Sequence, residues 1–195
     1  VLPTEGQGIP DGFDLSPLRP RAATDTLALV LGIGICDLEQ GAVRDWCSWE
    51  VDAGRERIAF KTHHQFGGFD VELERTVTLV NRTVRSATRV KTTGEEFVPI
   101  RWFPHPFYPP PATKELCKFN LPVSFPDNRG YELAPNGYIR SKTWPWTEKD
   151  FQGADGFFQL LDHDASTNLI VMQRHPVLGL VGATCSYTPG FFPIW

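Results

Sequence analysis

The chain lacks the features that mark nucleic-acid-binding and membrane proteins. Its 195 residues carry 19 Lys and Arg against 23 Asp and Glu, a formal net charge of −4. That balance offers no basic excess for a phosphate backbone. The longest apolar run, residues 27–35, is too short to span a bilayer, and no basic segment followed by an apolar one opens the chain. We therefore expect a cytoplasmic protein without nucleic-acid or membrane partners.

Signatures of metal, nucleotide and nucleophilic sites are also missing. The short apolar segment Gly32-Ile33-Gly34 does not suit a phosphate-binding loop, and no G-x-S-x-G elbow occurs. No Cys-x-x-Cys pair occurs either, so we expect no metal site. Because no secretory signal is seen, we expect reduced, mostly buried thiols. These thiols belong to Cys36, Cys47, Cys117 and Cys185. The sequence predicts no cofactor.

Helical periodicity is absent beyond about two turns, and period-two alternation takes its place. Apolar and polar residues alternate from Phe69 to Leu79, and only Arg75 interrupts the apolar side. Turns at Asn81-Arg82 and Gly94 predict two further strands, at 84–92 and 97–103. Shorter strand candidates are 26–33, 57–60, 118–123, 138–143, 157–161, 169–173 and 178–187. The pattern predicts one all-β domain over residues 1–195, an antiparallel sandwich or barrel.

One histidine stands at the end of the strongest strand region. His105 lies between Pro104 and Pro106 and is flanked by aromatic residues. Because proline fixes its own backbone and restricts the residue before it, His105 is held in an extended segment. Histidine titrates near neutrality and can act as an acid or a base. The alternative is a proline-rich loop whose histidine satisfies a neighbouring backbone group.

Two other groups of residues invite a functional interpretation. Asp155 follows a loop that contains Trp144 and Trp146, and carboxylates beside aromatic faces suit sugars, whose hydroxyls bond while their apolar faces stack. The alternative is an aspartate that caps a turn. His63 and His64 would point to opposite faces of a strand, which argues against joint metal binding. We expect both to lie at a solvated strand end.

Taken together, these segments resemble the galactose mutarotase-like superfamily, which includes aldose 1-epimerases and hexose-phosphate epimerases. The resemblance covers residues 69–195. It rests on the strand ending at Asn81, the turn at Gly94, and the motifs His105-Pro106-Phe107-Tyr108, Asn128-Arg129-Gly130-Tyr131 and Asp155-Gly156-Phe157-Phe158. It implies a large antiparallel β-sandwich, here incomplete at both ends, with a sugar cleft on one face.

The resemblance also implies a reaction, in which an isomerase opens an aldose or aldose phosphate at its anomeric carbon and recloses it on the other face. His105 would be the acid that protonates the ring oxygen. The family's catalytic base is a glutamate near the C-terminus, and no glutamate follows Glu148. The residues expected to bind the sugar are Asp155, Gln7, Trp102, Tyr108 and Trp144.

Two other functions stay open beside the epimerase. A non-catalytic carbohydrate-binding β-sandwich would use Asp155, the tryptophans and His105 as ligands. A structural or partner-binding β-domain would bury His105 without a cleft. The expected partner in the first two cases is a small-molecule sugar or sugar phosphate, and the sequence indicates no oligomeric state.

Overall fold

The computed structural model describes residues 11–13, 17–21, 24–99, 102–104, 113–122, 130–145, 157–160, 168–184 and 191–194. The regular structure of this part is entirely β-strand, and every strand pairing is antiparallel. The predicted all-β antiparallel class is therefore confirmed. Within these residues no helix has the length and apolar character needed to cross a membrane.

The chain divides into two compact units, the first from Ile9 to Pro106 and the second including everything from Phe107 onward. The single-domain organisation stays a prediction. The strands of the first unit are β1 (Asp11–Phe13), β2 (Leu27–Val30), β3 (Gly34–Asp37), β4 (Ala42–Trp46), β5 (Glu50–Ala53), β6 (Arg57–Phe66), β7 (Phe69–Val80), β8 (Thr83–Thr92) and β9 (Trp102–Pro104). They form sheets in the orders β1-β9, β2-β3-β4 and β5-β6-β7-β8.

The alternating segment forms the centre of the four-stranded sheet. Strands β6 and β7 pair without a break from Arg57↔Thr78 to Phe66↔Phe69. Strand β8 extends the ladder after a turn at Asn81, whose φ of 54° is left-handed. Phe69, Val71 and Leu73 are buried, and we call the face that carries them the inner face. Asp70, Glu72 and Glu74 lie on the opposite, outer face.

The three-stranded sheet packs on part of this inner face. Leu18 and Leu29 join Phe69 and Val71 in one buried cluster, and Leu18 forms an isolated bridge with Leu29. Burial of each such side chain contributes about 1.5–3 kcal/mol. The first unit is therefore a small sandwich, with its core between β2 and β7.

A carboxylate fixes the hairpin of β3 and β4. Asp37 is buried and accepts hydrogen bonds from Thr26 and from the backbone N–H groups of Glu39 and Gln40. Arg44 Nη2 lies 2.7 Å from Asp37 Oδ2. Arg44 and then the Gln40 N–H lower the pKa of Asp37 to about 2, so the turn keeps its anionic acceptor throughout the neutral range.

The second unit has its own core. Its strands are β10 (Glu115–Phe119), β11 (Tyr131–Leu133), β12 (Tyr138–Ser141), β13 (Phe157–Leu160), β14 (Ile170–His175), β15 (Gly179–Thr184) and β16 (Phe191–Ile194). They pair in the orders β11-β12-β10-β14-β15 and β13-β16. Ile139 is fully buried among Leu116, Phe119 and Val171.

Several strand predictions are corrected. The strand predicted at 57–60 continues to Phe66. Of the strand predicted at 97–103, residues 97–99 are not strand and residues 102–103 belong to β9, which pairs with β1. The three strands β3 to β5 were not predicted as separate elements. Most residues of β4 and all of β5 are exposed, so these strands bury no face and show no apolar alternation.

Thr62 allows a test of how a buried hydroxyl on the inner face affects the free energy of unfolding. Its side chain is 3% exposed, and its Oγ1 has no hydrogen-bond partner within the described part of the chain. Valine has nearly the same shape and no hydroxyl to leave unsatisfied, so Thr62→Val should raise the free energy of unfolding by about 1 kcal/mol. Urea unfolding measures the change.

The matched control is Thr78→Val on the outer face of β7, where the side chain is partly exposed. It gains the same strand propensity but removes no buried hydroxyl, so its effect should stay within about 0.5 kcal/mol. A stability loss in Thr62→Val, or equal gains at both positions, would contradict this account of Thr62.

Candidate functional site

Most of the residues predicted to form the sugar site, including the catalytic acid, lie outside the described residues. This applies to Gln7, His105, Tyr108 and Asp155. Trp102 opens β9, whose backbone is described, and it pairs there with Phe13. The grouping of these residues into one site therefore stays a prediction.

Trp144 is the member of the predicted set whose side chain is described. It follows β12, its side chain is 38% exposed, and a cis peptide bond joins it to Pro145. Nearby, Ser141 Oγ donates to the carbonyl oxygen of Thr143 at 2.6 Å. The exposed indole leaves an aromatic surface open to solvent beside the sheet of the second unit.

The two adjacent histidines lie on opposite faces of β6, as predicted, but only one of them is solvated. His64 is 4% exposed, and the expectation of a solvated strand end is wrong for it. Its Nε2 accepts a hydrogen bond from the backbone N–H of Gly32 at 3.0 Å. The prediction failed because β6 continues past Phe60 and the turn after β2 covers its inner face.

His63 belongs to a polar cluster on the outer face. Its Nε2 lies 3.0 Å from Asp70 Oδ1, and Asp70 also accepts hydrogen bonds from Gln65 and Thr93. Bonding to His63 first, and then to Gln65 and Thr93, lowers the pKa of Asp70 to about 2. Thr93 donates to the carboxylate rather than to the imidazole. The cluster therefore lacks the nucleophile-to-base contact of a hydrolytic triad.

The inner face carries a groove beyond the part that the three-stranded sheet covers. Its volume is about 190 Å³. It lies between the turn after β2 and the middle of β7, beside the segment that joins β4 to β5. The lining residues are Leu31, Gly32, Ile33, Trp49, Leu73, Arg75 and Thr88.

Trp49 forms the aromatic wall of this groove. Its side chain is 39% exposed, and its ring meets Phe60 edge to face with centroids 6.3 Å apart. Gly32 has a φ of +79°, and a Cβ there would lie 3.4 Å from Trp49 Cζ2. Glycine thus accommodates both the left-handed turn and the close approach of the indole.

Arg75 is the charged member of the groove. It lies opposite Phe60 on β6 and Thr88 on β8, and it is half-buried. The sequence marks Arg75 as a break in the apolar side of β7. Trp49 and Gly32 carry no such signal, because they are far from Arg75 in the chain and only the sheet packing brings the three together.

Two polar residues of the second unit, Tyr138 and His175, have structural partners. Tyr138 lies between Lys118 and Arg174, at 5.9 and 5.4 Å from its ring centroid. His175 Nδ1 accepts hydrogen bonds from the backbone N–H groups of Val177 and Leu178, each at 3.0 Å, and so caps the β14–β15 turn.

The described cysteines and acidic residues form no metal site. Cys36, Cys47 and Cys117 are free thiols, and burial raises the pKa of Cys117 to about 12, which keeps it protonated and unreactive. No group of three or more His, Cys, Asp or Glu residues within the described ranges could hold a metal ion.

No protein family, curated protein or solved structure matches this chain. A functional assignment therefore depends on its own residues and on the resemblance of its motifs.

His64 makes the first unit sensitive to pH. Burial, and then the neighbouring His63, lowers the pKa of His64 below its usual 6.5. The unfolded chain therefore takes up this proton more readily than the folded chain. The contribution of neutral His64 to the free energy of unfolding should be fully present above pH 6.5. It should fall as the pH drops below 6.5, by up to about 1.4 kcal/mol per pH unit, until the pKa of His64 in the folded chain is reached.

His64→Gln isolates this effect, because a glutamine oxygen can replace Nε2 as the acceptor for Gly32 but does not titrate. Urea unfolding between pH 5 and 8 should show a shallower acid loss in the variant than in the unmodified chain. Both proteins share every other histidine. Parallel curves for the two would show that His64 is not the source of the dependence.

Proposed function

We propose that this chain is a carbohydrate isomerase of the aldose 1-epimerase type, in which His105 acts as the general acid. The proposal is supported by the antiparallel all-β fold. It is also supported by the order of the motifs from the long strand β7 to His105-Pro106-Phe107-Tyr108. Both agree with the resemblance to the galactose mutarotase-like superfamily.

The observation that carries the proposal is the strand directly before His105. Strand β9 ends at Pro104, and its register with β1 runs from Asp11↔Pro104 to Phe13↔Trp102. Pro104, the residue before His105, is therefore held in a strand pairing. With proline on both sides, the histidine has little backbone freedom, which suits a group that must meet one atom of a substrate.

The chemistry requires two proton transfers. Ring opening needs an acid at the ring oxygen and a base at the anomeric hydroxyl, and reclosure on the other face of the carbonyl inverts the anomer. A histidine with a pKa near neutrality can donate the first proton. The resemblance assigns the base to a C-terminal glutamate, which has no counterpart after Glu148.

Trp144 favours a second candidate, a carbohydrate-binding β-sandwich without turnover. Its partly exposed indole offers the flat apolar surface on which sugar rings stack. This alternative predicts that Trp144→Ala weakens binding to a glycan panel while no member of the panel changes its anomeric composition.

His105→Ala should slow anomer interconversion by about 10²–10⁴-fold if His105 is the general acid. The measurement is NMR exchange between α and β anomers across a panel of aldoses and aldose phosphates. The matched control is His175→Asn, which also removes a histidine before a proline but keeps an acceptor for the β14–β15 turn. Equal rates in the unmodified chain and His105→Ala would reject the assignment.

A further inference from the structure

We propose that strand β8 of one copy of this chain pairs with strand β5 of a second copy, so that the four-stranded sheet continues between molecules. Strands β5 and β8 are the edges of this sheet. All residues of β5 and most of those of β8 are exposed, and an exposed edge can pair with a strand of another chain. Both strands lie in the first unit and contain no residue of the proposed epimerase site. The inference therefore goes beyond the proposed isomerase activity.

The first argument is the order of charge across the outer face of this sheet. The Lys, Arg, Asp and Glu residues there are acidic on β5 and β7 and basic on β6 and β8. They are Glu50 and Asp52 on β5, Arg57 and Lys61 on β6, Asp70, Glu72 and Glu74 on β7, and Arg85, Arg89 and Lys91 on β8. Neighbouring strands thus carry opposite signs, and Lys61 Nζ lies 2.9 Å from Glu72 Oε2. A β5 strand placed beside β8 continues this alternation.

The same charges select the β5 edge of a second copy over its β8 edge. Two β8 strands side by side would oppose basic residues with basic residues, and two β5 strands would oppose carboxylates. Like charges directly opposite each other destabilise a strand pair. Symmetric pairing of identical edges is therefore disfavoured, whereas pairing of β8 with β5 brings opposite charges together.

The second argument is the direction of the strands and of the backbone groups at the β5 edge. Because all pairings in this sheet are antiparallel, a second copy in the same orientation meets β8 with an antiparallel β5. Successive residues of such a strand direct their N–H and C=O groups to opposite sides. The Gly54 N–H donates to the Arg57 carbonyl oxygen on β6 at 2.7 Å. The groups of Asp52 therefore also face β6, and those of Val51 point away from the sheet.

At the β8 edge the same reasoning identifies Val90. The Thr93 N–H donates to the Asp70 carbonyl oxygen on β7 at 3.0 Å. Thr93 and every second residue before it direct their groups to β7, so the groups of Val90 point away from the sheet. Val51 and Val90 can therefore exchange N–H···O=C bonds between two copies. Both lie on the inner face of their sheet, so the inner faces of the two copies align.

The third argument is the register that follows from pairing Val51 with Val90. In this register Glu50 lies opposite Lys91, and Asp52 lies opposite Arg89. These are the non-hydrogen-bonded positions, where opposed side chains come closest. A shift of the register by two residues in either direction keeps only one opposed pair of opposite charges. The pairing also covers Val51, which is 56% exposed in the single chain.

Sedimentation velocity of the unmodified chain tests the association. The experiment covers chain concentrations up to about 1 mM, because a short edge contact gives weak association. The weight-average mass should rise with concentration beyond that of a dimer, because each copy carries both edges and the contact is head-to-tail. Association should weaken when the ionic strength rises from about 0.1 M to about 1 M, because the paired charges are screened.

Asp52→Arg and Arg89→Asp should each weaken the association constant by about fivefold or more, because each opposes like charges across the contact. The combined variant with both changes restores opposite charges and should associate within about twofold of the unmodified chain. Residues 52 and 89 lie on opposite edges of one copy, three strand spacings of about 4.8 Å apart. Recovery in the combined variant can therefore arise only from contact between copies.

Val51→Pro tests the backbone part of the contact independently. Proline removes the N–H that points away from the sheet, and it is tolerated on an edge strand whose N–H faces solvent. Association should be lost while the amide spectrum of the other strands is retained. The matched charge control is Glu39→Arg in the exposed β3–β4 turn, which changes the net charge as Asp52→Arg does and should leave association unchanged.

A chain that stays monomeric, or whose mass stops at that of a dimer, would overturn the proposal. So would undiminished association in Val51→Pro, or a combined variant that does not regain what the single charge variants lose. The amide spectrum of each variant verifies its fold, and Val51→Pro decides if a charge variant does not fold. His105→Ala should associate as the unmodified chain does, so failure of this proposal and failure of the epimerase proposal are distinguishable.

Discussion

The register between β6 and β7 is the constraint on which the first unit depends. Ten consecutive pairs join the two strands, and because side chains alternate between faces, a slip by one residue would exchange the two faces completely. Such a slip would bring Asp70, Glu72 and Glu74 into the core and expose Phe69 and Val71. Burial of the apolar side and pairing of Lys61 with Glu72 on the other therefore select the same register.

Different parts of the inner face therefore have different neighbours. Near Phe69 and Val71 it is covered by the three-stranded sheet and forms the core, whereas near Arg75 it borders the groove. The boundary lies at the turn after β2, where the Gly32 N–H donates to His64. This bond fixes the turn to the sheet and, with Trp49 packed against Gly32, defines one wall of the groove.

The sequence predicted most where a strand buries one face and solvates the other. Strands β7 and β8 were predicted almost to their ends for this reason, whereas β4 and β5 bury too little to show a pattern. The burial of His64 depends on a turn more than thirty residues away, which local periodicity does not report. His105 and Asp155 lie outside the described residues, so the sugar site stays a prediction that rests on the resemblance.

Three departures from the apolar pattern gather on the same part of the sheet. Thr62 leaves a buried hydroxyl unsatisfied, His64 requires a neutral ring, and Arg75 places a cation among apolar neighbours. The unsatisfied hydroxyl of Thr62 and the desolvated ring of His64 are each less favourable for stability than an aliphatic residue would be at that position. Sequences that specify one fold usually keep their local choices consistent and break them where a site is built. All three lie on the inner face of β6 and β7, so these departures are confined to one layer of the first unit.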